Sequence, residues 1–193
     1  MIFVLATANP DKAREIHEIV GGRIDLVPRP PDVPDVDETG ATLLDNARLK
    51  AAALVEATGL AAIADDTGLE VAALGGAPGV HSARYAGAQA TYADNVARLL
   101  EELRGNDRRA RFVTVAVVQW PDGREVVAEG TVDGTIADAA AGRSGFGYDP
   151  VFVPDEGDGR TFAQMMDDDP AAKHRLSHRG RAFRTLVASL TSL

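Results

Sequence analysis

Thr7, Ala8, Asn9, Pro10, Asp11 and Lys12 place a hydroxyl, an amide and an ammonium side by side, directly after the apolar run Ile2 to Ala6. Where a strand hands over to a helix, free N–H groups and the positive end of the helix dipole face outward, and such residues suit phosphate oxygens. The same residues also make an ordinary helix cap, with Asn9 at the N-cap and Pro10 at the first helical position, and both readings stand. A Walker A loop is excluded, because the chain contains no Gly-Lys pair.

Carboxylates form a second group. Glu38 ends a loop containing Pro28, Pro30, Pro31 and Pro34, and Asp65-Asp66 follow the apolar segment Leu60 to Ala64. Acids at the end of a buried strand sit where α/β proteins place ligands, and their oxygens suit magnesium; solvated turn carboxylates are the plainer alternative. Asp35 to Thr39 spells D-x-D-x-T, the pattern of aspartyl-phosphate hydrolases, but the prolines before it do not belong in the central strand that such enzymes need.

Glycine-flanked aromatics come third. In "SGFGYDP", Phe146 and Tyr148 can offer ring faces to a base and Asp149 can accept a hydrogen bond, or the rings can simply fill a core. Neither this segment nor "GGAPG" completes G-x-G-x-x-G or G-x-S-x-G. The densest basic cluster, "KHRLSHRGR" at 173–181, offers donors from Ser177, His178 and Arg179 to carbonyl or phosphate oxygens, against the alternative of a solvated basic face. His174 and His178 stand four apart, yet no H-E-x-x-H pattern accompanies them, so zinc is not expected.

These groups must be positioned by elements that the periodicity predicts. A buried strand covers 2–6 and a helix runs from Asn9-Pro10 to about Val20. A second helix covers 42–58 and stops at Gly59, and a strand covers 60–64. Thr91 and Asp94 read as a capping box for a helix ending at Gly105, with Val96, Leu99, Leu100 and Leu103 on one face. Residues 110–120 and a strand reaching about Val132 make a hairpin around "PDG"; "FGYDPVFV" reads as a strand, and Phe183, Leu186, Val187 and Leu190 stripe a C-terminal helix. Strands and helices alternate without a strict βαβ rhythm, which predicts an α/β protein with a mixed sheet flanked by helices.

At 193 residues, 45% hydrophobic, the chain suits a single domain spanning 1–193. A net charge of -9 argues against nucleic acid or anionic membrane as partner, and the absence of cysteine removes disulfides, thiolate zinc sites and a cysteine nucleophile. Neither a membrane span nor a signal peptide is visible, so a cytoplasmic protein is expected.

Taken in order, "VLATANPDKAREI", "ETGATLLDNARLKA", "IADDTGLEVAALGGAPGVHSARYAG", "SGFGYDPVF" and "LSHRGRAF" resemble the inosine triphosphate pyrophosphatase family, whose members act on dITP, ITP and XTP. The resemblance covers essentially the whole chain. It implies an elongated mixed β-sheet flanked by helices, two lobes with a cleft between them, and a homodimer. It further implies that Thr7 to Lys12 hold the triphosphate and that Glu38 and Asp66 hold Mg2+. Asp66 would also serve as general base, with Thr67 contacting substrate. Phe146, Gly147, Tyr148, Asp149, Lys173, His178 and Arg179 would enclose and read the base. On this reading Asp66 matters more than Asp65. Asp45, Thr67, Gln164 and His174 depart mildly from the family pattern. A pyrophosphatase selective for pyrimidine or modified nucleotides, and a nucleotide-binding module without turnover, are the rival readings.

Overall fold

The computed structural model describes residues 1–192. In chain order it contains β1 (Ile2–Leu5), α1 (Pro10–Val20), β2 (Asp25–Val27), α2 (Leu43–Thr58), β3 (Ala61–Val71), β4 (Pro78–Gly79), α3 (Tyr92–Glu102), β5 (Arg109–Gln119), β6 (Glu125–Ile136), β7 (Phe152–Pro154), α4 (Phe162–Asp168), α5 (Pro170–Leu176) and α6 (His178–Thr191). The strands form one mixed sheet in the order β2-β1-β3-β5-β6-β7, with β4 paired to β3. β1 runs parallel to β2 and β3, while β3/β4 and β6/β7 are antiparallel. No helix among the described residues is long and apolar enough to cross a membrane.

The chain divides into two compact units, 1–66 with 114–130 and 179–193, and 67–113 with 131–178. In the first unit the strands are covered on both faces, and their alternation sorts the side chains. Phe3, Leu5, Ala61, Ile63, Ala116 and Val118 pack with Ile16, Ile19 and Val20 of α1 and with Phe183, Leu186 and Val187 of α6. Val4, Ala6, Ala62, Ala64, Val115 and Val117 pack with Ala47, Ala51 and Leu54 of α2. The register agrees: Phe3 opposes Ala61, Val4 opposes Ala62 and Leu5 opposes Ile63, so each paired couple shares a face. Two-sided burial is why these segments read as unbroken apolar runs. The second unit has its own core of Leu69, Val71, Leu99, Phe112, Ile136, Phe152 and Phe162 with their neighbours.

Several expectations need correction. β3 does not stop at Ala64 but continues through both aspartates to Val71, so Asp65 and Asp66 lie within the strand instead of after it. β2 escaped notice because three residues of a sheet edge show no period. "FGYDPVFV" is strand only at Phe152–Pro154; Tyr148 to Val151 turn, with Val151 N–H and Phe152 N–H both donating to the Tyr148 carbonyl. The capping-box helix ends at Glu102, and Gly105 (φ 74°) belongs to the turn beyond.

Candidate active site

Strand alternation decides what Asp65 and Asp66 do. Ala64 faces the α2 side, so Asp65 turns toward α1 and α6, and Asp66 returns toward α2. Asp65 accordingly meets Lys12 of α1, 3.5 Å away, and Arg179 of α6, 3.4 Å away. Arg179 also donates to Glu15 Oε2 at 2.5 Å, so a buried chain of alternating charge runs Glu15, Arg179, Asp65, Lys12. Buried ions require such partners, because an unpaired charge there costs several kcal/mol, on the order of 3–5.

Asp66 heads a separate network. Lys50 of α2 places its Nζ 3.0 Å from Asp66 Oδ1 and 3.0 Å from Glu38 Oε1, so one ammonium bridges the two carboxylates. Asn46, one helical turn earlier, donates to Asp66 Oδ2 at 3.2 Å. Burial pushes the Asp66 carboxyl above its ordinary pKa and Glu38 adds to the rise, against the pull of Lys50 and Lys12. Burial is also the largest influence on Lys50 and acts downward, but Asp66, Asp65 and Glu38 outweigh it, so the net shift is upward. Lys12 shifts the other way, burial outweighing the attraction of Asp65.

At the start of α1 the cap and the cation are separate devices. Asn9 Oδ1 accepts from the N–H groups of Asp11 (2.9 Å) and Lys12 (3.2 Å), and Asn9 N–H donates to Thr7 Oγ1 at 3.2 Å. The ordinary-cap reading of Asn9 is therefore realised. It leaves Lys12 pointing at Asp65, while Ala8 and Pro10 stay exposed and Asp11 meets Arg14.

In the second unit Phe146, Tyr148, Asp149, Lys173 and His178 come together around rings. Asp149 Oδ2 accepts the Phe146 N–H at 3.2 Å and lies 3.4 Å from Lys173 Nζ. Gly145 makes this possible: its φ is +80°, and a Cβ there would stand 2.5 Å from Asp149 Oδ2. Lys173 Nζ also lies 5.8 Å from the Phe146 ring centre and 5.6 Å from that of Phe162. Half-buried Phe146 tilts against Tyr92 at 5.9 Å, and His178 stacks on Phe112 at 4.2 Å. Tyr148 donates its hydroxyl to the Ser82 carbonyl at 2.9 Å, and burial raises its pKa. Gly147 (φ 62°) sits in the turn between the two aromatics, and half-buried Thr67 follows Asp66 along β3.

The basic cluster at 173–181 is solvated at Arg175 and half-buried at Arg181, but its other donors are not solvated. Lys173, His174, Ser177, His178 and Arg179 are all buried. Ser177, with extended backbone (φ -66°, ψ 154°), separates α5 from α6, so His174 and His178 do not share a helix face. Arg179 pairs with Glu15 and Asp65.

Sequence reasoning assigned no role to Lys50, Asn46 or Glu15. Two signals were available. Lysine occurs only at 12, 50 and 173 among twenty basic residues, and all three lie against these carboxylates. Asn46 and Glu15 interrupt apolar stripes, Asn46 beside Ala47, Ala51 and Leu54 and Glu15 beside Ile16 and Ile19.

Comparison with known proteins gives a consistent answer. The model of the Ham1 family matches residues 3–189. A dITP/XTP pyrophosphatase of Caulobacter vibrioides is 47% identical over 97% of this chain and 97% of its own. One from Thermus thermophilus is 49% identical over 97% of this chain and 90% of its own. The structure of a HAM1 protein from Coxiella burnetii matches with a TM-score of 0.89 at 39% identity, covering 100% of both chains. That of the Staphylococcus aureus Ham1 protein matches at 0.86 and 40% identity, covering 100% of this chain and 99% of its own. With the family model spanning nearly the whole sequence and relatives well above 30% identity, the chain belongs to the Ham1 family.

Proposed function

We propose that this protein hydrolyses the non-standard purine nucleoside triphosphates dITP, ITP and XTP to the monophosphate and pyrophosphate, with Mg2+ as cofactor. The observation that carries the reading is Asp66: a buried carboxylate of raised pKa, set beside Glu38 and Lys50, on the strand whose preceding residue holds Lys12. The names of the Caulobacter vibrioides and Thermus thermophilus relatives, both dITP/XTP pyrophosphatases, supply the substrate class.

Glu38 and Asp66 fit Mg2+. Their oxygens already converge on one cation, the Lys50 ammonium. Among the described residues no group of three or more His, Asp or Glu side chains could cage a metal. Such a donor set suits an ion that takes one or two carboxylates and completes its shell with water and substrate phosphates. When bound, Mg2+ supplies neutralisation of phosphate charge and makes water easier to deprotonate.

The chain's own groups account for the remainder. Lys12 and Lys50 offset charge on the triphosphate, and Asp66 orients a water and takes its proton. Both Asp66 oxygens already accept one hydrogen bond each, but a carboxylate has about four acceptor positions, so a water can still be held. The water oxygen forms the new bond to the α-phosphorus, the bond to the α–β bridging oxygen breaks, and the electron pair leaves with pyrophosphate. Lys173 and His178 offer donors to the O6 of hypoxanthine or xanthine, an atom that adenine replaces with a donor amino group.

The test is product analysis over a nucleotide panel. ITP is expected to give IMP and pyrophosphate in one step, with ATP and pyrimidine triphosphates very poor substrates. IDP or orthophosphate as an early product would overturn the reaction, and full activity in EDTA would overturn the cofactor. A homodimer and a cytoplasmic location belong to the same reading, tested by sedimentation velocity and cell fractionation.

A further inference from the structure

Asn46 is fully buried on α2, and both ends of its amide are committed. Its Oδ1 accepts the Gly40 N–H at 2.8 Å, and its Nδ2 donates to Asp66 Oδ2 at 3.2 Å. The orientation is dictated by chemistry, since a backbone N–H needs an acceptor and a carboxylate needs a donor. Residue 40 has to be glycine for this approach: a Cβ there would stand 2.7 Å from Asn46 Oδ1 and 2.6 Å from Asp45 Cβ. The loop that carries Glu38 is thus tied, just beyond Glu38, to the side chain that ties Asp66. Lys50 holds the same two carboxylates by charge at the end of a flexible stem. Asn46 holds Asp66 directly, and the Glu38 loop at Gly40, through a short, uncharged, directional group.

We propose that Asn46 is a positioning residue that sets the spacing of Glu38 and Asp66, and so the affinity of that pair for a divalent cation. The inference rests on the reading of Glu38 and Asp66 as the Mg2+ ligands. Partners that orient metal ligands typically govern affinity by about 10- to 100-fold.

The experiment compares wild type, Asn46→Ala, Gly40→Ala and the double variant. Mn2+ alone is the probe, its binding followed by electron paramagnetic resonance without nucleotide, and Glu38→Gln is the control for the site. Melting in EDTA reports folding, and ITP turnover is measured against Mg2+ concentration. Each single variant is expected to fold and to melt somewhat below wild type, because a buried hydrogen bond is lost, to bind Mn2+ ~10- to 100-fold more weakly and to need correspondingly more Mg2+ for half-maximal rate. KM for ITP at saturating Mg2+ should change little. The double variant should be no weaker than the weaker single one, because one bridge is broken only once. Unchanged Mn2+ affinity in folded single variants, additive losses, or failure of both variants to fold would each overturn the proposal. Wild type that ignores Mn2+ and works in EDTA would instead overturn the metal reading beneath it.

Discussion

The two units handle buried polarity in opposite ways. In the first, charge is compensated by charge across β3: Glu15, Arg179, Asp65 and Lys12, all on regular elements, along one face, and Asp66, Lys50 and the loop residue Glu38 along the other. In the second, the buried pair of Lys173 on α5 and Asp149 on a glycine-bent turn sits among aromatic rings. Under the proposed function, fixed strand geometry suits groups that would act on phosphate at defined distances, whereas rings and turns suit a flat base held by contact area. A substitution in the first unit should act on chemistry or folding, and one in the second on binding.

Asp66→Asn breaks the comparison most severely. It keeps the volume but removes the group that the proposed reaction makes the acceptor of the water's proton, and kcat should fall by ~10²- to 10⁴-fold in steady-state assays. Turnover near wild type at saturating Mg2+ would remove Asp66 from the chemistry. Asp65→Asn tests the other face. Its side chain is fully buried between Lys12 and Arg179, so the loss should appear chiefly as stability, on the order of 3 kcal/mol in denaturant unfolding. That revises the expectation that Asp65 simply matters less than Asp66: the two residues should fail in different measurements.

Phe146→Ala sharpens the contrast from the second unit. The half-buried ring should contribute stacking worth about 1–3 kcal/mol, so KM for ITP should rise by roughly 5- to 100-fold while kcat moves less and unfolding hardly at all. A loss confined to kcat would assign the ring to the chemical step. The smallest effect concerns alkaline pH. Tyr85 donates to Glu102, and burial first, then that hydrogen bond and the Glu102 charge, raise its pKa to about 12. Because the folded value lies above the unfolded value of 10.0, the stabilisation is whole below pH 10 and is lost as pH rises through about 12. Ultraviolet titration of wild type against Tyr85→Phe should show that one tyrosinate absent until about pH 12; ionisation near the ordinary value would contradict the contact.

Local signals sufficed for much of the scaffold. The Asn9-Pro10 cap, the Gly59 stop of α2, the Thr91–Asp94 box and the hairpin at residues 121–123 all depend on neighbours within a few positions, and each lies where the sequence predicts it. Even the departures at Asp45 and Gln164 do local work, as helix-start partners of Thr42 and Thr161. Family membership was legible too, because long ordered matches need no geometry.

What the sequence by itself determined, then, was which residue types are present, which local elements hold them and which family they belong to. The tertiary structure alone decided who meets whom. Asp66 reaches Lys50 across 16 residues, Arg179 reaches Asp65 across 114 and Glu15 across 164. Whether β3 stops at Ala64 or runs on through two aspartates turned on those distant cations, since a charged residue is tolerated inside a buried strand only where an opposite charge awaits it. The same reason explains two cations of the basic segment that composition assigns to solvent: folding buries Lys173 beside Asp149, and Arg179 beside Asp65 and Glu15.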